Sequence, residues 1–255
     1  MFNNNLLMAA VAATSSSYVT RAVHCEGDDD AARGADLTGA SDGKEISCSF
    51  WIKTTNSSEN YLMSSHTAGA DTSINDSSIG SGTAGDGKWG LTVYNTSDSK
   101  IGNVWTNTAI NDGEWHHVAM SMDLLNGVGV VYVDGVEDKA SGAILTNDTI
   151  DLTDTDWRVF TDNSSQLTAD VADLWINFNY IDFSDSATRA KFINSSGKPV
   201  DLGDDGSTPT GTKPIMYFKL AADVDAPTFY TNKGSGGGFG TVSGTLTEAS
   251  SSPSD

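Results

Sequence analysis

Basic residues, cysteine and glutamate are all scarce in this chain. Across 255 residues, 14 Lys+Arg face 34 Asp+Glu, a formal net charge of −20. No basic stripe compensates, so a polyphosphate would be repelled and nucleic acid is not an expected partner. Only six of the acids are Glu; the other 28 are Asp. Glu favours helix, whereas Asp competes for backbone hydrogen bonds and prefers turns and caps. Strands and loops are therefore expected. Cys25 and Cys48 are the only cysteines. Two cannot form a disulfide framework, and neither has a zinc-type spacing. Both lie in strand-like runs, where a pair of buried thiols is a simpler expectation than a bridge. No run approaches the ~18–20 apolar residues of a membrane span, so no membrane insertion is expected.

What is present is a series of short strands punctuated by turns. Ile46, Cys48, Phe50 and Ile52 alternate with Ser47, Ser49, Trp51 and Lys53, which is the period of a strand with one apolar face. Further strands are expected at 19–23, 61–64, 88–94, 100–105, 115–122, 128–133, 156–161, 171–178 and 215–220. Asn126-Gly makes a hairpin of two of them. Residues 67–87 read as a long polar loop. One helix is expected near residues 184–194, with Ser184 as cap, Asp185 in the first turn and Gly197 as stop. The set reads as one β-sandwich. Residues 1–17 are an N-terminal arm and 234–255 a Gly/Ser/Thr-rich C-terminal extension, flexible by composition.

Three kinds of site follow from residue type. Calcium wants six to eight oxygens, which Asp-rich loops supply. The candidates are Asp28/Asp29/Asp30, Asp151/Asp154/Asp156 and Asp201/Asp204/Asp205, against the plainer reading that these residues cap turns. Glycan binding needs aromatics that stack on sugar faces beside polar groups. Trp89, Tyr94, Trp105 and Trp157 are candidates, against the alternative that they pack inside the sandwich. In the arm, Leu6, Leu7, Met8 and Val11 are candidate assembly contacts, since exposed apolar arms on a lone monomer are a liability. No Lys or Arg precedes Leu6–Ala13, so the positive region of a secretory leader is not expected there.

The stretch Asp112-Gly-Glu-Trp-His-His-Val-Ala119, followed by Val131-Tyr-Val-Asp-Gly135, resembles the laminin-G-like branch of the concanavalin A-like lectin/glucanase superfamily. Ser49-Phe-Trp-Ile52 resembles that family's early strand. The resemblance implies an all-β jelly-roll sandwich and a structural rather than catalytic role for His117. It leaves activity open, because the fold hosts lectins, hydrolases and inert modules. Family glucanases carry paired carboxylates on one strand as Glu-x-Asp-x-(x)-Glu. Here Glu26, Glu45, Glu59, Glu114, Glu137 and Glu248 are too far apart for that motif, so no catalytic residue is assigned and glycoside hydrolysis is the weakest alternative.

Three further segments resemble tailed-bacteriophage structural proteins carrying this domain. They are Arg33–Ala40, the stretch from Lys191 through Gly197-Lys-Pro-Val-Asp-Leu-Gly203 to Gly211, and Asn232–Phe239. The opening Met-Phe-Asn-Asn-Asn-Leu-Leu-Met8 fits the same set. This resemblance implies a virion structural protein of decoration, head-fibre or tail-fibre type, present in many copies and bound to other virion proteins. Host-surface glycan is then the expected ligand, with a dedicated lectin as the alternative.

Overall fold

The computed structural model describes residues 18–65, 72–75, 86–162 and 164–255. The expected arm, with Leu6, Leu7, Met8 and Val11, lies outside the described residues, as does most of the 67–87 loop.

The described residues form two antiparallel sheets of eight strands each. The first runs β10 (Val136–Glu137), β9 (Val128–Val133), β8 (His116–Asp123), β3 (Glu45–Lys53), β13 (Thr168–Asn177), β1 (Val23–Glu26) and β16 (Thr247–Glu248), with β14 (Met216–Phe218) also on β13. The second runs β11 (Ile144–Leu145), β7 (Lys100–Trp105), β6 (Gly90–Tyr94), β5 (Ser73–Asn75), β4 (Tyr61–Ser65), β12 (Trp157–Val159), β2 (Asp30–Ala32) and β15 (Thr241–Ser243). The expected all-β jelly-roll architecture is observed.

Alternation decides what lies between the sheets. Ile46, Cys48, Phe50 and Ile52 of β3 join Val118, Met120 and Met122 of β8 and Leu91, Val93 and Val104 of the second sheet in one buried core. Cys25 and Cys48 are free thiols in that core, and burial pushes both up, away from thiolate. Gly102 of β7 faces inward; a Cβ there would stand 2.5 Å from Val93 Cγ2 and 3.1 Å from Met122 Sδ. Only glycine lets the sheets approach so closely at that point.

A third, mostly irregular layer covers the outer face of the first sheet. Phe183, Phe192 and Leu202 bury Trp175, Tyr132 and Ala119, with Tyr217 of β14 alongside Trp175 in the sheet. Trp175 packs edge-on against Phe192 at 5.3 Å and donates Nε1–H to the Gly206 carbonyl at 2.9 Å. Beside it β13 shifts register between Ala172 and Trp175, with Asp173 at φ 48°. The buried Asp173 carboxylate accepts from Thr20 Oγ1 at 2.6 Å, Tyr217 Oη at 3.2 Å and Tyr18 Oη at 3.3 Å. Burial nevertheless raises its pKa above the usual carboxylate value.

Two expectations need correction. The helix α1 is one turn, Ser186–Arg189, and its cap is Asp185 rather than Ser184. The Asp185 carboxylate accepts from Ala187 N and Thr188 N, whereas Ser184 Oγ is turned to Asp182. The C-terminal stretch is not a loose extension. β15 closes one edge of the second sheet and β16 one edge of the first, because the buried Phe239 and Leu246 anchor it in the core.

Candidate functional site

A convergence of polar groups from several strands lies at one end of the first sheet, on its outer face. It is built by register. In β3, Ile52 points inward, so Lys53 points out. Asp170 of β13 stands opposite Lys53, and His24 of β1 stands opposite Asp170. Thr247 of β16 stands opposite His24. Trp115 lies two residues before His117, whose partner in β3 is Trp51, so it extends the row on the side of Lys53. The result is a line of indole, ammonium, carboxylate, imidazole and hydroxyl across four strands and one strand entrance.

A cleft of about 460 Å³ opens over Lys53, Asp170 and His24, walled by Thr54, Thr55 and Asn56 and by Gly113. His24 Nδ1 and Asp170 Oδ1 are 2.6 Å apart. Thr54 Oγ1 donates to the Thr168 carbonyl at 2.8 Å and accepts from Asn56 N at 3.0 Å, which fixes the wall. Lys53 Nζ donates to Ser251 Oγ at 3.1 Å, and the described residues give it no carboxylate partner. A second cleft of about 330 Å³ meets the first at Lys53 and is lined by Trp51, Trp115 and residues 251–253. Such a site holds a hydroxyl-rich ligand by hydrogen bonds, with a half-buried indole for stacking. Among the described residues Asp170 is the only carboxylate lining the larger cleft, and Glu248, next along, is held by Arg21 through two 2.8 Å bonds.

The four expected glycan aromatics are not brought together. Trp89 and Trp157 are fully buried in the core, so neither can stack on a sugar. Trp89 shares parity with Leu91 and Val93, and Trp157 with Val159, which places all of them between the sheets. Tyr94 and Trp105 do face outward on the second sheet and are half-buried. They sit at opposite ends of the β6–β7 pair, opposite Lys100 and Gly90 respectively, roughly 13 Å apart at strand spacing.

The calcium candidates are also dispersed. Among the described residues no three His, Cys, Asp or Glu side chains converge to hold a metal ion. Asp29 is buried, and its Oδ2 accepts from Glu26 N at 2.9 Å. Asp28 is exposed, and Asp30 accepts from Gln166. Asp156 pairs with Arg158 at 2.6 Å. Asp151 is raised by burial and by Asp42 and Asp154, and Asp154 is itself buried. Asp201 and Asp205 accept from Gly203 N and Ser207 N, while Asp204 is exposed. Local turn amides thus engage Asp29, Asp201 and Asp205, while the buried Asp29 Oδ1 has no hydrogen-bond partner among the described residues.

His116 and His117 point to different places, as adjacent strand residues must. His116 bonds Asp134 at 2.7 Å and Asp112 at 3.1 Å, and the Asp134 bond raises its pKa. His117 lies under the third layer against Trp51, with Nε2 2.8 Å from Ser49 Oγ. Burial pushes it down to about 4.

Residues 26–179 match the profile of the concanavalin A-like lectin/glucanases superfamily. The chain belongs to that superfamily. Among solved structures of the same fold, a proposed carbohydrate binding protein of Bacteroides ovatus is 14% identical with a TM-score of 0.60, over 91% of this chain and 60% of that one. The SAP-like pentraxin of Limulus polyphemus is 14% identical with a TM-score of 0.47, over 67% and 82%. Domains LG4-5 of the mouse laminin alpha1 chain are 15% identical with a TM-score of 0.42, over 66% and 44%. No curated protein matches the chain. The superfamily match ends at residue 179, so the third layer and the strands β14–β16 lie beyond it.

Sequence reasoning missed Trp115, Lys53, Asp170 and His24 as a group. They come from four separate segments and meet only through strand register. The available signal was parity: Lys53 falls on the non-core face of the alternating β3 run.

Proposed function

We propose that this chain is a glycan-binding jelly roll displayed in many copies on the surface of a tailed-phage particle, as a decoration, head-fibre or tail-fibre-type module. It holds host-surface glycan without turning it over. The observation that carries the glycan reading is the row Trp115–Lys53–Asp170–His24 lining two clefts that share Lys53. An indole beside fixed donors and acceptors is the chemistry of sugar recognition. The fold likeness to a proposed carbohydrate binding protein supports it. The virion reading rests on the resemblance of Arg33–Ala40, residues 191–211 and Asn232–Phe239 to phage structural proteins. Among the described residues Asp170 is the one carboxylate that lines the larger cleft, whereas a retaining hydrolase needs a pair ~5–5.5 Å apart.

An array of bacterial surface glycans is expected to give hits that Asp170→Asn removes. An array without hits overturns the glycan reading. Mass spectrometry and reconstruction of purified particles are expected to find the chain at high copy number on the outer surface. Particles that lack it overturn the virion reading.

A further inference from the structure

The geometry points to residues 250–255 as a displaceable strap across this groove, with Ser251 standing in for a ligand hydroxyl. The inference rests on the groove being the glycan site and adds how access to it is controlled.

Two donors of the row converge on one acceptor. Lys53 Nζ and Trp115 Nε1 both donate to Ser251 Oγ, each at 3.1 Å. These are the ammonium and the indole that a bound sugar would need. The cleft over His24 and Asp170 and the cleft beside Trp51 and Trp115 share Lys53 as a wall, and Ser251, bonded to Lys53, stands at that junction. Ser250 lines the side nearer His24 and Ser251 the side nearer Trp115.

The strap is lightly held. Its last main-chain bond to the rest of the fold is Ala249 N to the Ala22 carbonyl at 3.0 Å. Beyond that, Thr20 N donates to Ser254 Oγ at 2.9 Å, and the Lys198 ammonium donates to the Asp255 carbonyl oxygen. Pro253 is its one buried residue. A segment with so few buried apolar contacts opens at little cost compared with the core. A ligand that needs the open form binds more weakly by the fraction of chains that are closed.

The test uses the full chain and two substitutions with opposite expected effects. O-antigen oligosaccharides cut from bacterial lipopolysaccharide are titrated by calorimetry against wild type, Ser251→Ala and Ser251→Asp. Ser251→Ala removes the shared acceptor and is expected to tighten binding about threefold to tenfold. Ser251→Asp gives Lys53 a carboxylate partner, holds the strap down and is expected to weaken binding by a similar factor. A residue that merely supports the fold would shift both variants the same way. If wild type binds while both variants weaken, or neither changes, the strap is wrong and the glycan reading stands. If wild type and both variants fail to bind, the glycan reading falls and the strap with it.

Discussion

The outer faces of the two sheets are both buried over much of their area, but only the first sets large aromatic side chains among its buried polar groups. The first sheet presents Trp51, Tyr132 and Trp175 beside the buried Ser47, Ser49, His117 and Ser121, and the third layer covers the aromatics. The second presents Ser64, Ser73, Asn75, Thr92 and Asn103, all buried polar side chains. Polar groups there bond among themselves, as Thr92 Oγ1 does with Asn103 Oδ1 at 3.3 Å. The aromatic-bearing face binds a layer of the protein's own chain, and at its uncovered end alternation brings out Lys53, Asp170 and His24. The covering layer thus positions the site: it buries one end of a face and leaves the other open.

The comparison breaks most sharply at Trp175. Trp175→Ala empties the centre of the outer aromatic cluster and orphans the Gly206 carbonyl. A loss of about 3–5 kcal/mol is expected in urea unfolding. A loss below about 1 kcal/mol would mean that the third layer is not part of the cooperative fold.

The next effect is pH-dependent. His117 sits under the same layer, with a pKa near 4 when folded against about 6.5 in an unfolded chain. Between those values the unfolded state binds more protons, so stability rises with pH and levels off above about 6.5, by up to about 3 kcal/mol. The raised Asp173 carboxyl works in the opposite sense, contributing stability that fades as pH rises. Comparing wild type with His117→Gln cancels that contribution. The variant is expected to lose the rising slope between pH 4 and 6.5. Parallel pH curves for the two proteins would contradict the buried, neutral imidazole.

A smaller effect sharpens the contrast at the edges. β15 and β16 close the two sheets, and Leu246 between them is buried. Leu246→Ala is expected to cost about 2–3 kcal/mol. Val242→Ala, on the 49% exposed β15 side chain, is expected to stay within about 0.5 kcal/mol by the same unfolding measurement.

Much of the sandwich was legible in the sequence, because long alternating runs encode it locally. The expected bounds of β7 and β9 coincide with those observed, and β3 differs by one residue. Strands of two or three residues, such as β10, β11, β15 and β16, are too short to carry a period and owe their conformation to their neighbours. The Gly/Ser/Thr-rich stretch that holds the last two looked flexible because composition does not register two well-placed apolar anchors, Phe239 and Leu246. The site was less legible. Stacking aromatics were sought near polar loops, but Trp89 and Trp157 share parity with core residues. The groups that do converge are polar residues from different strands, joined by register rather than by spacing. Asp clusters pointed to calcium; in this fold Asp29, Asp201 and Asp205 accept from turn amides and Asp156 pairs with Arg158.

The most direct test is a glycan titration of Asp170→Asn beside Trp105→Ala. Asp170 lies in the row on the first sheet, and Trp105 is the best-placed aromatic on the second. The account predicts that Asp170→Asn weakens binding about tenfold or more, because it removes a charged acceptor, while Trp105→Ala changes it less than about twofold. A large loss with Trp105→Ala and none with Asp170→Asn would place the ligand on the other sheet and contradict the account.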